Sequence, residues 1–261
     1  GIKANENYDF SLYARTETNN PIKLRIELVN RDNDIYETQH LEIKGKDWKK
    51  YSVILSPKAT EAKSRLRITM ETAGTLDLEH ISLFPEKTFN NRTNGLRRDL
   101  AQALKDLKPG IFRFPGGCIV EGTTIAPRYQ WKNTVGPVEN RPININRWNY
   151  TFPHKKFPDY YQSYGLGFFE YFQLSEDIGA EPLPVLNCGL SCQFENEDMD
   201  QHVPVDKLQP YIDDALDLIE FANGPVTSQW GKMRADMGHP ASFNLKFIAI
   251  GNEQWGPLYP E

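Results

Sequence analysis

Three absences narrow the class of protein that this sequence of 261 residues encodes. No run of about 18 apolar residues occurs, so no segment is predicted to span a membrane. Acidic and basic residues are mixed along the chain, and a net charge of −5 gives no basic surface, so a nucleic-acid partner is not expected. The first residues are polar and carry no signal peptide, as expected of a mature or trimmed chain whose targeting sequence has been removed.

Cysteine is scarce, and its spacing is not that of a metal site. The three cysteines are Cys118, Cys188 and Cys192. Cys188 and Cys192 are close enough in sequence to pair, but an odd total without a CxxC pattern is more typical of free buried thiols. The paired glycines Gly116 and Gly117 lack the pattern of a phosphate-binding loop. We therefore predict neither a metal centre nor a nucleotide cofactor.

Apolar residues occupy every second position in five segments of the first part of the chain, as in strands with one buried face. The segments are 8–15, 22–30, 48–56, 64–72 and 74–84. Turn-forming residues separate them, so we predict an antiparallel β-sandwich over residues 1–85. Trp48 and Tyr51 either stack on a sugar or, as is more common for Trp, pack into the core or rim. Because the strand pattern begins almost at once, the sandwich is expected to lack a first strand.

After Pro85 the hydrophobic pattern changes to an alternation of helices and strands. The predicted helices are 96–107, 167–178 and 205–222, and the predicted strands are 111–114, 183–186 and 247–250. Such alternation indicates parallel strands joined by right-handed crossovers, in a doubly wound sheet or a barrel. The long loop-like stretch 121–164 follows the first of these strands, which places it on the functional face of a barrel.

Polar side chains lie at the end of each of these three strands. Arg113, Asn187 and the pair Asn252 and Glu253 are expected to converge, because the carboxyl ends of parallel strands meet at one edge. Arg113 could bind a carboxylate or sugar hydroxyls of a ligand; the alternative is that it forms a structural salt bridge. Glu253, beside an amide and the indole of Trp255, has the surroundings of a general acid, although an acid at a strand end also commonly only begins a polar loop.

Several motifs of the second segment occur together in a specific order. They are FRFPGGCIVEG, WKNTVGP, RWNY, GLGFFEYFQLSEDIGA, MGHP and IAIGNE, between about residue 84 and residue 261. In combination they resemble the family fifty-one glycoside hydrolases, the α-L-arabinofuranosidases. The resemblance implies a jelly-roll-like β-sandwich similar to a carbohydrate-binding module at residues 1–85, followed at 86–261 by part of a (β/α)8 TIM barrel.

The resemblance also implies the site. Glu253 matches the catalytic acid/base of this family, and Asn252 matches the residue that binds the 2-hydroxyl of the sugar. Trp148 resembles an aromatic residue of the pocket wall. With the strand-end residue Asn187 included, the predicted substrate-binding residues are Arg113, Cys118, Trp148, Asn187 and Asn252. No metal or cofactor is implied.

The main departure from the family pattern is that the second catalytic carboxylate has no match in this sequence. Retaining hydrolysis needs a nucleophile about 5–5.5 Å from the acid/base. In this family it lies at the end of the seventh strand, whereas this sequence carries the pattern of strands two to four. Glu121, Glu170 and Glu195 do not match it by motif. We therefore expect an internal fragment that is inactive alone. Its exposed apolar barrel surface is expected to lead to a homo-oligomer, as a dimer or with a swapped partner, or to marginal stability.

The sequence thus predicts a secreted or periplasmic parent enzyme that releases terminal α-L-arabinofuranosyl residues from arabinan or arabinoxylan, with the location inferred from the resemblance. Its expected partner is an arabinose-containing polysaccharide or oligosaccharide. The alternative is a carbohydrate-binding protein without hydrolytic activity, in which the sandwich binds the ligand and the barrel segment is a remnant.

Overall fold

The computed structural model describes residues 1–151, 160–194, 202–256 and 259. Contacts within the chain divide it into two compact units, Gly1–Ala103 and Leu104–Glu261. The division falls inside helix α1 (Arg98–Asp106), later than the change of hydrophobic period at residue 85. The segment between these points stays with the first unit and contributes buried Thr88 and Phe89 to it.

The first unit contains two three-stranded antiparallel sheets that share one apolar core. The strands are β1 (Tyr8–Arg15), β2 (Ile22–Val29), β3 (Ile35–Ile43), β4 (Lys49–Leu55), β5 (Arg65–Met70) and β6 (Asp77–Pro85). One sheet has the order β4-β1-β6 and the other β3-β2-β5. Alternate residues of the two central strands, including Phe10, Leu12, Leu24 and Ile26, are buried together. The predicted β-sandwich is confirmed.

Strand β3 is the element of this unit that the sequence analysis missed. Its sequence, IYETQHLEI, places polar residues on both faces, so the period of two is hidden. Pairing with β2 nevertheless runs from Ile22 opposite Ile43 to Val29 opposite Ile35. Backbone hydrogen bonding to a strongly apolar neighbour therefore decides the conformation of this segment.

Trp48 and Tyr51 occupy the rim of the sandwich. The Trp48 side chain is about two-fifths exposed, and the Arg15 guanidinium lies over its ring at 4.9 Å from the centroid. The Tyr51 hydroxyl donates to the Lys44 carbonyl oxygen at 3.1 Å. These contacts support packing as the role of both rings, since an arginine already covers one face of the indole.

The second unit contains, in its described part, a three-stranded parallel sheet of order β11-β10-β7. The strands and α-helices of this unit after α1 are β7 (Ile111–Phe114), β8 (Asn144–Ile145), β9 (Tyr161–Gln162), α2 (Phe168–Ile178), β10 (Glu181–Leu186), α3 (Gln209–Asn223), α4 (Gln229–Asp236) and β11 (Ala249–Ile250). Strands β8 and β9 form a separate two-stranded sheet. The predicted alternation of helices and parallel strands is confirmed. The described helices include none that is both long and apolar enough to cross a membrane.

After α1, boundaries in this unit differ from the prediction by two residues or more at three elements, of which β10 is one, because it begins at Glu181 and not at residue 183. The helix predicted from residue 205 begins with a separate 3-10 turn, Val205–Lys207, before α3 starts at Gln209. Strand β11 is shorter than predicted, and Phe247, at the start of the predicted strand, is exposed. Helix α4 was not predicted; the Ser228 hydroxyl caps it by accepting from the Gly231 amide at 3.2 Å.

Aromatic rings hold the end of β7 in place. The Phe114 ring lies 5.2 Å from the rings of Phe168 and Phe172 on α2, edge to face with both. Phe114 and both partners are fully buried. Such pairs add directional contacts to the burial of apolar area, so the strand end is fixed against the helix.

The register of the parallel sheet brings two polar residues to one edge. Val185 pairs with Ala249 and Leu186 with Ile250. The Gly251 amide then donates to the Leu186 carbonyl oxygen at 2.7 Å. Asn187 and Asn252 consequently follow neighbouring strand ends.

Glu27 allows a test of the sandwich. Its buried carboxylate lies 2.8 Å from Arg67 Nε and 3.3 Å from Arg25 Nε. The hydrogen bond from Arg67 is the main cause that lowers the Glu27 pKa. We expect Glu27→Gln to reduce the free energy of unfolding at pH 7 by about 1–3 kcal/mol, because a charge-assisted hydrogen bond is lost.

The pH dependence of this difference has a definite sign. Since the folded pKa is depressed, the contribution of Glu27 is present above the unfolded pKa of about 4.5 and is lost as pH falls through the folded pKa. Urea unfolding of wild type and variant between pH 3 and 7 measures it. Glu42→Gln, which removes an exposed partner of Lys44, is the control and should change little. A pH-independent difference would contradict the prediction.

Candidate active site

The carboxyl ends of β7, β10 and β11 meet at one edge of the parallel sheet, as the sequence predicted. Arg113 extends from β7, Asn187 follows β10, and Asn252 and Glu253 follow β11. Gly116 and Gly117 have φ of 83° and 56°, the left-handed region that suits glycine, and they turn the chain sharply after β7. This turn returns the chain to the same edge.

Asn252 is the buried centre of the site. Its Oδ1 accepts from Arg113 Nη2 at 2.5 Å, and its Nδ2 donates to Glu121 Oε2 at 3.3 Å. A cation therefore faces the carbonyl end of the amide and an anion faces the amino end. This arrangement fixes the orientation of the Asn252 side chain, because a flipped amide would place each end against the wrong partner.

Glu121 is the site residue that sequence reasoning missed. In the sequence it is only an acid that does not match the nucleophile by motif. The structure buries its side chain, which also accepts from Gln254 Nε2 at 3.0 Å. Burial raises the pKa of the Glu121 carboxyl, although the hydrogen bond from Asn252 and the charge of Arg147 act in the opposite direction. A single acid before a glycine is not a recognisable site motif, and the residues that contact Glu121 lie more than 130 positions away in the sequence.

Glu253 is exposed, next to the buried amide. Its Oε2 lies 3.6 Å from the thiol sulfur of Cys118. The Glu253 backbone has φ of 52°, a conformation that few residues other than glycine adopt. Gly251, two residues earlier, has φ of 82°. The chain therefore turns abruptly after β11, and this turn presents the carboxylate to solvent beside Cys118.

Asn187 lies at the same edge, and its side chain is engaged by backbone groups. Its Nδ2 donates to the carbonyl oxygens of Val120 at 3.1 Å and Leu190 at 3.0 Å, and its Oδ1 accepts from the Gly189 amide at 2.7 Å. These bonds tie the end of β10 to the segment that carries Glu121. The geometry favours a structural contribution to the site over direct contact with a ligand.

Trp148 is connected to the site through Arg147. The indole ring is partly exposed, and the Arg147 guanidinium lies 4.3 Å from its centroid. Arg147 is itself buried and donates from Nη2 to the sulfur of Cys192 at 2.9 Å. Arg147 therefore links the predicted aromatic residue to Cys192, and the role of Trp148 as a pocket wall stays a prediction.

All three cysteines are free thiols, so Cys188 and Cys192 do not form the disulfide that the sequence left open. Burial raises the pKa of the Cys118 thiol to about 11. Glu170, the acid within α2, holds the buried Arg141 guanidinium at 2.8 Å. Glu195 lies outside the described residues.

Comparisons with known proteins identify the family of the chain. The family described as "Alpha-L-arabinofuranosidase 1 domain" matches residues 103–260. The chain is 40% identical over 264 residues to the extracellular exo-alpha-L-arabinofuranosidase of Streptomyces chartreusis, a match that covers 97% of this chain and 30% of that protein. It is 36% identical over 262 residues to alpha-L-arabinofuranosidase 1 of Arabidopsis thaliana, covering 99% of this chain and 36% of that protein.

A solved structure gives the same assignment. The structure of an arabinose-bound GH51 α-L-arabinofuranosidase superposes with a TM-score of 0.85 at 32% identity, covering 97% of this chain and 39% of that one. The class is therefore that of the glycoside hydrolases. More narrowly, the chain belongs to the α-L-arabinofuranosidases of family fifty-one. It spans about a third of the length of the curated relatives named above.

For the buried Glu121 carboxyl, the expected pH dependence of folding stability is opposite in sign to that for Glu27. Because its folded pKa is raised, folding is favoured below the unfolded pKa of about 4.5, and that advantage is lost as pH rises through the folded pKa. Glu121→Gln removes this titration. The stability of the variant relative to wild type should therefore increase between pH 4 and 7.

Tryptophan fluorescence during urea unfolding at several pH values measures the effect. Glu181→Gln is the control, since Glu181 is a half-exposed acid paired with Lys246 at 2.6 Å in the same unit. A relative stability of Glu121→Gln that falls with rising pH would show that the carboxylate is stabilised, rather than penalised, by its surroundings.

Proposed function

We propose that this chain is the part of a retaining α-L-arabinofuranosidase that supplies the acid/base and much of the sugar pocket. The observation that carries the proposal is the convergence of Arg113, Asn252 and Glu253 at one edge of a parallel sheet, in a chain of family fifty-one. In the whole enzyme, β7, β10 and β11 are strands two to four of a (β/α)8 barrel. Barrel enzymes place their catalytic groups at this face.

Glu253 is the general acid and base of the proposed mechanism. It protonates the oxygen of the leaving group while the glycosidic bond breaks, and then takes a proton from the water that hydrolyses the glycosyl-enzyme intermediate. Its exposure beside the buried Asn252 suits this task, because the carboxylate has to reach both the leaving group and water.

Asn252 orients the sugar in this proposal. Its Nδ2 carries two N–H groups, and Glu121 accepts from this nitrogen. The other N–H is the proposed donor to the 2-hydroxyl. Arg113 and Cys118 border the same space, and Trp148 contributes an apolar wall on which a furanose ring can pack.

The nucleophile of the proposed mechanism comes from another strand of the longer enzyme. Besides Glu253, Glu121 is a carboxylate of this hydrogen-bond network. Both of its oxygens are engaged, because they accept hydrogen bonds from Asn252 and Gln254. Retaining chemistry needs a second carboxylate free to attack the anomeric carbon. We therefore expect these 261 residues alone to lack turnover.

The proposed substrate is a terminal α-L-arabinofuranosyl residue on arabinan, arabinoxylan or a derived oligosaccharide. The terminal arabinofuranosyl residue follows from the names of the relatives, one of which is described as extracellular and exo-acting, and the polysaccharides follow from the family resemblance. A secreted or periplasmic location is proposed on the same basis. Ile111 and Ile250, on the two outer strands of the described sheet, are exposed, and in the proposal further barrel strands or a second copy of the chain cover them.

The acid/base assignment is testable in the full-length protein that contains this sequence. With 4-nitrophenyl α-L-arabinofuranoside as substrate, Glu253→Ala should reduce kcat by roughly 10²–10⁴, since general acid/base catalysis contributes about this much. Azide should restore part of the rate and form an arabinofuranosyl azide, because a small anion needs no general base to attack the intermediate.

Glu181→Ala serves as the control, because Glu181 lies at the amino end of β10, away from the site edge. Wild-type kcat in Glu253→Ala would rule out the assignment. An azide product of inverted rather than retained anomeric configuration would point to the nucleophile instead, because azide then attacks the substrate directly and not the glycosyl-enzyme intermediate.

A further inference from the structure

We propose that Cys118, Glu121 and Cys192 form a binding site for one soft divalent cation of the Zn²⁺ type beside the proposed acid/base. The two thiol sulfurs and a carboxylate oxygen of these residues all lie within 4.8 Å of one another. The inference does not depend on the proposed function, since metal binding is measurable without substrate.

The distances are close to those of an occupied site. Zinc binds thiolate sulfur at about 2.3 Å and carboxylate oxygen at about 2.0–2.2 Å, so ligand atoms around a tetrahedral ion lie roughly 3.5–3.8 Å apart. No pair of ligand atoms therefore has to approach by more than about 1.3 Å. Rotation of the two cysteine side chains supplies such a change without moving the backbone.

The backbone holds the three ligands together. The Glu121 amide donates to the Cys118 carbonyl oxygen at 3.2 Å, and the Cys192 amide donates to the Gly122 carbonyl oxygen at 3.1 Å. Two segments separated by about seventy positions are therefore joined directly next to the ligand atoms. This preorganisation reduces the entropy lost when a cation binds.

The charges balance when the ion is bound. Two thiolates and the Glu121 carboxylate carry three negative charges, and Arg147, whose Nη2 lies 2.9 Å from Cys192 Sγ, carries one positive charge. A dication brings the total of these buried groups to zero, and the further negative charge of Glu253 lies on an exposed side chain that water solvates. Glu121 and Cys192 are almost fully buried, where an unbalanced charge would be costly.

Thiolate ligands also select the kind of cation. Sulfur prefers zinc, cadmium and cobalt to magnesium or calcium, which favour oxygen ligands. Glu253, whose Oε2 lies 3.6 Å from Cys118 Sγ, is close enough to complete the coordination sphere. If the proposed function holds, occupancy would then inhibit hydrolysis by engaging the acid/base, and a chelator would reverse the inhibition.

Cobalt absorbance tests the site in the chain as it exists. The chain is reduced with a phosphine, its three thiols are counted, and Co²⁺ is added under argon. We expect a thiolate-to-cobalt charge-transfer band that saturates at one Co²⁺ per chain and disappears on addition of Zn²⁺. Competition with a coloured chelator then gives the Zn²⁺ affinity.

Single substitutions identify the ligands. Cys118→Ser and Cys192→Ser should each remove about half of the charge-transfer intensity and weaken Zn²⁺ binding by about 100-fold or more, and Glu121→Gln should weaken it by roughly 10–100-fold. Cys188→Ser is the matched control, because Cys188 lies outside the cluster, and it should bind as wild type does. Near-ultraviolet circular dichroism of each metal-free variant checks the fold.

Three results would overturn the proposal. The first is a reduced wild-type chain without the charge-transfer band. The second is equal loss of the band in Cys188→Ser and in Cys118→Ser. The third is wild-type Zn²⁺ affinity in a folded Glu121→Gln variant, which would remove the carboxylate from the site.

Discussion

The orientation of one buried amide underlies the geometry of the site. Asn252 is held between the Arg113 guanidinium and the Glu121 carboxylate, which come from different segments of the chain. Hydrogen bonds that involve charged groups are strong in a poorly solvated site, and each partner limits the freedom of the other. Loss of Arg113 would leave the carbonyl end of the buried amide without its charged partner, and loss of Glu121 would leave the amino end without its acceptor. The amide is therefore more than a substrate contact, since it also joins two strand ends to the loop after β7.

The two buried glutamates show how surroundings decide what a carboxylate does. Glu27 is covered by two arginines and remains ionised to lower pH than an exposed glutamate. Glu121 receives mainly neutral amide donors, and burial dominates its titration. The sequence gives no means to distinguish them, because each is one acidic residue in a segment rich in apolar residues. Their difference arises from contacts between distant parts of the chain.

Much of the fold was predictable from local patterns. Alternation in β1 and β2 and the turn residues between strands indicated the sandwich. The helix predicted at 167–178 agrees with α2, which the structure shows to be capped by Gly167 and Gly179. The convergence of Arg113, Asn187 and Asn252 followed from the parallel order of the strands. Strand β3 was missed because its polar residues conceal its period, and its conformation depends on pairing with a neighbour.

The parallel pairing of β10 with β11 has a consequence for how this region can vary. Side chains on a strand alternate between two faces, so a shift of one residue in the pairing would exchange the faces of β11. Val185 opposite Ala249, together with the hydrogen bond from the Gly251 amide to Leu186, excludes that shift. Insertions and deletions are therefore not expected to be tolerated in the few residues between Ala249 and Glu253. The number of residues between Ala249 and Glu253 therefore determines where the Glu253 carboxylate lies relative to the end of β10.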